Sequence, residues 1–410
     1  MTVSPVAVLK SAVADEIGRR SDALVRLSHR IHGLAELAWE EHESASVVAS
    51  ALREAGFEVV VGAYGVPTAV EATAGAGDFT VVVCAEYDAL PGIGHGCGHN
   101  VIAAAGVGAA IGLASVAAAA NLRVKLLGTP AEEGGGGKAA LLEAGAWEGA
   151  DISLMVHGMT AFNGFEGDAY HARAMRATAV ARFQVTFRGR ASHAAAAPEL
   201  AVNAGNAAIL SLNAIALLRQ HLDAETNLNA YVVEAGRATN VIADLAVIRV
   251  EVRAYDLIEW RRAKERVGRC FEGAAVATGC DWEWEPIARP YAPLLHDEVL
   301  SDLWDENMTA RGRTLGATIL PGGSTDMGNV SQVVPTIHPL IAFQGWDASP
   351  HNADFAKAAI SGEADAALIE GATVLAATVL DAACDAERRA AFQRRTASRS
   401  PGETMVPFGL

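Results

Sequence analysis

Hydrophobic positions in the first third of the chain change from a helical to a strand-like spacing. Apolar residues recur every three or four positions over 6–31 and 41–55, which predicts two surface helices. Two Val-rich runs follow at 57–62 and 79–91, bounded by glycine and proline as buried strands are. The second run places Asp88 at the carboxyl end of its strand.

Strands and helices then alternate up to about residue 160. The pattern predicts helices at 100–119 and 138–144, a strand that runs into a loop over 122–133, and a strand at 152–159. Such alternation indicates an α/β fold in which a mixed, largely parallel sheet is flanked by helices. Ligands bind beyond the carboxyl ends of the strands in sheets of this kind. The residues with useful chemistry at or just after these ends are Cys97, Glu132, Glu133 and His157.

A different order of elements begins at about residue 181. Strand, helix, strand, strand, helix and strand follow one another up to residue 292, which is the order of a ferredoxin-like α+β domain. The α/β pattern then resumes with a strand at 336–343 and a long alanine-rich helix at 359–386. The sequence therefore predicts one domain formed by 1–180 and 293–410, with a second domain inserted at 181–292.

Composition and charge restrict the partners of the chain. Of its 410 residues, 51% are hydrophobic and 20% are charged, as in globular proteins. The formal net charge of -16 would repel a phosphate backbone, so we expect no nucleic-acid partner. The most apolar run, 105–120, is too short and too rich in alanine and glycine to span a bilayer, so we expect no membrane partner.

The N-terminus and the cysteines indicate a compartment. Acidic residues lie near the N-terminus where a signal peptide would have its apolar stretch. The five cysteines are an odd number and include no C-x-x-C pair, which argues against a disulfide framework. We therefore expect a cytoplasmic protein. The tail at 394–410 is polar and expected to be mobile.

The segment EYDALPGIGHGCGHN, residues 86–100, has the composition of a nucleotide loop, a cysteine nucleophile or a metal site. A dinucleotide fingerprint fails, because the sixth position from Gly92 is Cys97 where glycine is needed. The later EEGGGGKAA fails as a phosphate loop, because Ala139 replaces the required Ser or Thr. A nucleophilic Cys97 beside a histidine stays open. A metal site explains more, since Cys97 and His99 flank one glycine and can converge on one ion.

Further candidate ligands follow other strands. The adjacent carboxylates Glu132 and Glu133 repel each other unless a cation separates them, so one would bind an ion while its neighbour accepts a proton from water. His157 ends one predicted strand and His351 follows another. The candidate ligands are Cys97, His99, Glu133, His157 and His351. Five ligands exceed the four of a structural zinc site, so we infer two ions that share one bridging ligand and one bridging water.

These motifs resemble a known family. The segments that carry the resemblance are EYDALPGIGHGCGHN, GTPAEEGGGGK, MVHGM, GRASHAAAAPELAVNA, GRATNVIAD, PGGSTDMGNVS and SPHNADF. Together they resemble the aminoacylase/carboxypeptidase family of two-metal peptidases, and they run in order from about 86 to 355, most of the chain. More narrowly, they are similar to its amidohydrolase branch, which includes aminobenzoyl-glutamate hydrolase, β-alanyl-lysine dipeptidase and hydrolases of indole-acetyl amino acids.

The chain departs from the commoner family text, ACGHD, at two positions. Gly96 precedes the cysteine here, and Asn100 stands in place of the final aspartate. The asparagine removes a possible acidic neighbour of the metal ligands. This version resembles the aminobenzoyl-glutamate and dipeptidase subgroup.

The resemblance also implies roles for individual residues. Cys97 would bridge two ions, with His99 and His157 completing one shell and Glu133 and His351 the other. Glu132 would be the general base, and Asp88 would support the metal centre as carboxylates that orient histidine ligands do. The inserted domain would act as a lid and a dimerisation surface. In it, His193 would polarise the scissile carbonyl, while Asn240 and Arg253 would bind the substrate carboxylate.

The implied function is that of a metal-dependent amidohydrolase or peptidase. The substrate would be an N-acyl amino acid or a small dipeptide, whose amide bond is attacked by the water between the ions. Cysteine and histidine favour zinc, while the carboxylate also admits manganese, cobalt or nickel. The resemblance implies a homodimer formed through the inserted domain. Two alternatives stay open: a degenerate member that binds acyl amino acids without cleaving them, and a metal-free amidase with a cysteine nucleophile.

Overall fold

The computed structural model describes residues 4–161 and 167–399, which fall into two compact units. One unit comprises Met1–Arg176 and Leu294–Leu410, and the other comprises Ala177–Pro293. Each unit buries its own apolar core, as independently packed domains do.

Before the insertion, the first unit alternates helices and strands. The helices are α1 (Pro5–Arg19), α2 (Ser21–Leu34), α3 (His42–Glu54), α4 (His99–Ser115), α5 (Ala117–Ala120) and α6 (Gly137–Glu143). The strands are β1 (Glu58–Val61), β2 (Val70–Ala74), β3 (Phe79–Ala85), β4 (Leu122–Gly128), β5 (Ile152–Leu154), β6 (His157–Thr160), β7 (Ala169–Tyr170) and β8 (Met175–Ala177).

Some boundaries differ from the sequence prediction. The helix predicted at 6–31 is wrong as a single element, because the chain turns at Arg20 and begins α2 one residue later. The strand predicted at 152–159 is two strands, since β5 belongs to the main sheet and β6 pairs elsewhere. The sequence analysis missed strand β2 because three of its five residues, VEATA, are glutamate or alanine, which are depleted in strands.

The second unit consists of four strands and two long helices. They are β9 (Ala179–Arg188), α7 (Ala204–Leu218), β10 (Asn227–Glu234), β11 (Leu245–Ala254), α8 (Leu257–Thr278) and β12 (Asp281–Pro286). The strands form one antiparallel sheet in the order β10-β11-β9-β12. This is the element order of a ferredoxin-like domain, and it leaves β10 at an edge of the sheet.

After the insertion, the chain completes the first unit. The elements are α9 (Glu298–Ala310), β13 (Leu315–Gly316), β14 (Leu320–Gly323), α10 (Met327–Ser331), β15 (Thr336–Ile337), β16 (Leu340–Phe343), α11 (Ala353–Ala358), α12 (Gly362–Cys384) and α13 (Ala386–Ser398). The tail expected to be mobile from residue 394 is helical up to Ser398, and Phe392 is buried in the core. Residues 400–410 lie outside the described chain.

The main sheet of the first unit has six strands in the order β1-β2-β4-β3-β5-β15. Strand β3 runs parallel to both β4 and β5, and β15 runs parallel to β5, whereas β1 and β2 are antiparallel additions. The predicted mixed, largely parallel sheet flanked by helices is therefore confirmed. Helix α4 lies close to β3, because a Cβ at Gly106 would stand 2.8 Å from the Cys84 carbonyl oxygen.

Helix α12 has the length and composition of a membrane span. Its most apolar window has a mean hydropathy of 1.6, but 72% of that window is buried inside the protein. A buried core helix of a soluble protein has the same properties, so this helix is weak evidence for a membrane. The expected cytoplasmic location stays a prediction.

Candidate metal centre

The loop after β3 places two candidate ligands beside each other. Gly98 has a φ of 74° and immediately precedes α4, which begins at His99. A residue other than glycine would be strained there, and its Cβ would press against the Phe355 ring at 3.3 Å. The glycine thus lets the chain turn sharply between Cys97 and His99.

Asp88 holds two other candidate residues by hydrogen bonds. Its Oδ1 atom accepts from Nδ1 of His99 at 2.9 Å, and its Oδ2 atom accepts from the backbone N–H of Glu133 at 2.9 Å. Burial raises the pKa of Asp88, but the interactions with His99 outweigh that effect and lower it. Asp88 therefore stays ionised and fixes the ring of His99 relative to the Glu133 backbone.

The second ring nitrogen of His99 faces carboxylates. Its Nε2 atom lies 3.5 Å from Glu86 and 3.9 Å from both Glu132 and Glu133. Among the described residues, this nitrogen has no hydrogen-bond partner although His99 is only 1% exposed. Burial lowers the pKa of His99, but the Asp88 and Glu86 carboxylates outweigh it and raise the pKa well above the usual value. A buried nitrogen in such surroundings suits a cation, which would replace the proton.

Two overlapping groups of side chains could each hold one ion. The ligand atoms of Cys97, His99 and His157 lie within 4.8 Å of one another, and so do those of Cys97, Glu133 and His351. Cys97 belongs to both groups. Thiolate, imidazole and carboxylate are a donor set for zinc and related divalent ions.

Backbone contacts orient the two outer histidines. Nδ1 of His157 donates to the Gly158 carbonyl at 2.7 Å, which leaves Nε2 directed at Cys97 Sγ, 3.5 Å away. Burial lowers the pKa of His157, so its ring is neutral as metal binding requires. His351 has a φ of 65°, and its N–H donates to the Gly96 carbonyl at 2.8 Å. Contact with Glu133 at 3.4 Å raises the pKa of His351.

The loop that carries Glu132 and Glu133 depends on Glu41, a residue that the sequence analysis missed. Ala131 has a φ of 56°, and its N–H donates to Oε1 of Glu41 at 2.8 Å. Glu41 is fully buried and also accepts from the backbone of Trp39. In the sequence, Glu41 directly follows a second acidic residue, Glu40, and the pattern alone does not show which of the two is buried.

Three further buried residues were also missed. Lys138 contacts Glu86 and Asp326, and all three side chains are buried. The sequence signal was present for Glu86, which lies two residues before Asp88 at the same strand end. Burial raises the pKa of the neighbouring Glu132 well above its usual value, and the charges of Glu86 and Glu133 raise it further.

The Asn100 side chain makes hydrogen bonds to other elements of the first unit. Its side-chain nitrogen donates to Ser28 Oγ and to the Ala359 carbonyl, both at 2.8 Å. The residue thus ties α4 to α2 and to the segment before α12. Among the described residues, the hydrogen bonds of the Asn100 side chain go to Ser28 and Ala359, and neither is a candidate metal ligand.

The predicted lid residues lie in the second unit. His193 pairs with Val241 in an isolated bridge, and the N–H of Ala194 donates to the Asn240 carbonyl at 2.9 Å. His193 and Asn240 are therefore neighbours. Arg253 lies on β11, where its Nε atom contacts Glu251 at 2.6 Å. The roles assigned to these three residues stay predictions.

Comparison with known proteins shows what the chain is similar to. Residues 81–381 match the family model described as Peptidase family M20/M25/M40. The Xaa-Arg dipeptidase of Mus musculus is 36% identical over 398 residues, which are 91% of this chain and 89% of the relative. One subunit of the p-aminobenzoyl-glutamate hydrolase of Escherichia coli (strain K12) is 30% identical over 265 residues, 59% of this chain and 53% of the relative.

A solved structure has the same fold. The crystal structure of a dinuclear metal-binding peptidase of the M20 family from Bacillus subtilis superposes with a TM-score of 0.67. The sequence identity is 21%, and the match covers 89% of this chain and 99% of that one.

We expect Asp88→Ala to weaken the binding of divalent ions roughly 10–100-fold, because His99 and Glu133 lose the carboxylate that orients them. Competition with a chromophoric chelator measures the affinity. Asp365→Ala is the matched control, since it removes a carboxylate bonded at 2.8 Å to the exposed His29 and should leave the affinity unchanged. An Asp88→Ala variant that binds ions as tightly as the wild type would contradict this role.

Proposed function

The chain belongs to the peptidase family M20/M25/M40, and we propose that it hydrolyses the amide bond of a small dipeptide or an N-acyl amino acid with two divalent metal ions. The observation that carries the proposal is the pair of ligand groups that share Cys97 beside the buried Glu132. Family membership and the fold confirm the resemblance that the motifs indicate.

The side chains suit two ions of the zinc type. Cys97 would be shared, His99 and His157 would complete one shell, and Glu133 and His351 the other. The sulfur and nitrogen donors favour zinc, and the carboxylate admits manganese, cobalt or nickel. Bound ions would polarise the amide carbonyl and make water more acidic.

Glu132 is the proposed general base. It is buried beside the ligand groups, and burial raises its pKa well above the usual value. Bound cations would favour the ionised form of Glu132, and this form can accept a proton from the attacking water and transfer it to the leaving amine. Ala131, the residue before Glu132, has a left-handed backbone conformation that the hydrogen bond to Glu41 supports.

A dipeptide that ends in a basic residue is the substrate class that we favour. The dipeptidase whose name specifies C-terminal arginine matches 91% of this chain, whereas the aminobenzoyl-glutamate hydrolase subunit matches 59%. The net charge of -16 also attracts cationic substrates in preference to anionic ones. In the proposed complex, His193 polarises the carbonyl, and Asn240 and Arg253 bind the substrate carboxylate. Arg253 would then exchange its contact with Glu251 for the substrate.

The alternative with a cysteine nucleophile has less support. Burial raises the pKa of the Cys97 thiol well above its usual value, which disfavours the reactive thiolate without a metal. The other alternative, binding without hydrolysis, would be favoured by a missing base or ligand. Every motif position is filled by a competent residue.

We expect the protein, supplied with zinc or manganese, to hydrolyse dipeptides with C-terminal arginine or lysine faster than aminobenzoyl-glutamate or N-acetyl amino acids. Removal of the ions by a chelator should abolish turnover, and adding them back should restore it. Product release measured by chromatography over this substrate panel tests both statements. Full activity of the chelated protein would exclude the two-metal proposal, and a lack of turnover on every substrate would favour the binding-only alternative.

For Glu132→Gln, we expect kcat to fall roughly 10²–10⁴-fold while both ions are retained, since the amide cannot accept the proton. Steady-state kinetics and elemental analysis on one preparation separate the two effects. Glu54→Gln, at an exposed position of α3, is the control and should behave as the wild type. Near-normal turnover of Glu132→Gln would assign the proton transfer to another group.

We also propose that the protein forms a homodimer through the second unit. Strand β10 is an edge strand, and its side chains Tyr231, Val232 and Val233 are 52%, 39% and 49% exposed. An exposed apolar edge is a template for pairing with another strand. Two copies could pair this edge about a twofold axis.

Val232→Lys should weaken the dimer roughly a hundredfold or more, because like charges would meet at the paired edge. Sedimentation velocity over a concentration series measures the dissociation. Val60→Lys is the matched control, because Val60 is 55% exposed on β1, an edge strand of the other unit. A monomeric wild type, or a Val232→Lys variant that dimerises normally, would contradict this arrangement.

A further inference from the structure

A lysine without exposure to solvent lies beside the candidate metal centre. Lys138 is 0% exposed, and its ammonium group contacts Oε1 of Glu86 and, at 2.6 Å, Oδ1 of Asp326. The backbone N–H of the same lysine donates to Oδ2 of Asp326 at 2.7 Å. Both oxygens of Asp326 are therefore held by one residue.

The glycine run before Lys138 brings it to this position. A Cβ at Gly137 would stand 1.7 Å from the Pro130 carbonyl oxygen, so only glycine lets α6 begin against the loop that carries Glu132. Lys138 is the second residue of α6. The GGGGK motif does not fit a phosphate loop. Its glycines instead place the ammonium group of Lys138 next to the loop that carries Glu132.

The carboxylates around this lysine form a group that could itself bind a metal ion. Oxygen atoms of Glu86, Glu132 and Asp326 lie within 4.8 Å of one another, and all three residues are buried. Oxygen-only groups of this kind suit hard cations such as Mn²⁺ or Mg²⁺. The proposed base, Glu132, would be one of the ligands of such an ion.

The side chain of Lys138 stays protonated in this environment. Burial lowers the pKa of Lys138, but Asp326 and Glu86 outweigh it and raise the pKa above the usual value. Burial raises the pKa of Asp326 to about 6, so this carboxylate is largely ionised at neutral pH. One fixed positive charge therefore stands among buried carboxylates that would otherwise repel each other.

We propose that Lys138 is a positioning residue that replaces a third metal ion and thereby keeps Glu132 out of metal coordination, available for proton transfer. The inference rests on the proposed function, because it concerns the base of that reaction. A lysine suits this role because its single charge binds carboxylates at hydrogen-bond distance. A divalent ion would instead bind the carboxylate oxygens directly, at metal–oxygen distances of about 2.0–2.2 Å.

The test is the number of ions bound by each folded chain. The wild type, Lys138→Ala, Lys138→Arg and the double variant Lys138→Ala/Asp326→Asn are equilibrated with defined free Mn²⁺ and analysed for manganese and protein. We expect Lys138→Ala to bind one ion more than the wild type. Lys138→Arg keeps the charge and the double variant lacks one carboxylate, so both should bind the wild-type number.

Turnover in the same samples gives a second readout. Excess Mn²⁺ should inhibit Lys138→Ala, because the extra ion engages Glu132, and it should not inhibit the double variant in this way. A lysine that only stabilises the fold would lower activity without changing the number of ions. Equal numbers of ions in Lys138→Ala and the wild type would overturn the proposal.

Folding outcomes also decide the question. If Lys138→Ala folds only with added Mn²⁺, the ion has taken over the position of the ammonium, as proposed. If Lys138→Ala fails to fold at every Mn²⁺ concentration, the proposal is overturned in favour of a structural ion pair. The wild-type ion count separately tests the proposed two-metal centre, because the inference concerns only the increment in the variant.

Discussion

Mutual repulsion among buried carboxylates is the constraint on which the rest of this site depends. Glu86, Asp88, Glu132 and Asp326 are all buried within one region of the first unit, and Glu133 lies beside them. Anions in such a place are stable only when cations or hydrogen-bond donors accompany them. His99, Lys138 and the backbone N–H groups supply part of that compensation, and two bound ions would supply the remainder. The polar residues and the proposed cofactor are therefore parts of one electrostatic arrangement.

Much of this arrangement could be predicted from the sequence, because strand ends are easy to locate. Runs of valine identify β1 and β3, and the rule that ligands gather beyond strand ends places Cys97, Glu132 and His157 near each other. The inserted unit could also be predicted, because its strands and helices follow the regular order of a ferredoxin-like domain. Predictions failed where a boundary depends on a local turn, as at Arg20, or on which sheet a short strand joins, as for β5 and β6.

The missed residues are those whose role arises only from tertiary contacts. Glu41 lies about ninety residues before its partner Ala131, and Asp326 lies 188 residues after Lys138. No periodic pattern connects positions so far apart. Sequence analysis also assigns a lysine to the surface by default, because lysine is almost never fully buried without a partner. The chemistry of the ligands is thus visible in the sequence, whereas the charges that compensate them are visible only in the fold.

The position of the insertion has a consequence for the order of biosynthesis. Cys97, His99, Glu133 and His157 precede the second unit, whereas Asp326 and His351 follow it, together with the edge strand β15 of the main sheet. A ribosome-bound chain that has just completed the second unit therefore carries a thiol and buried carboxylates without their last partners. Contacts over such long separations form late in folding. Until the final third of the chain emerges, Cys97 and Glu133 lack His351, Glu86 and Glu132 lack Asp326, and the binding site of the nascent protein is incomplete.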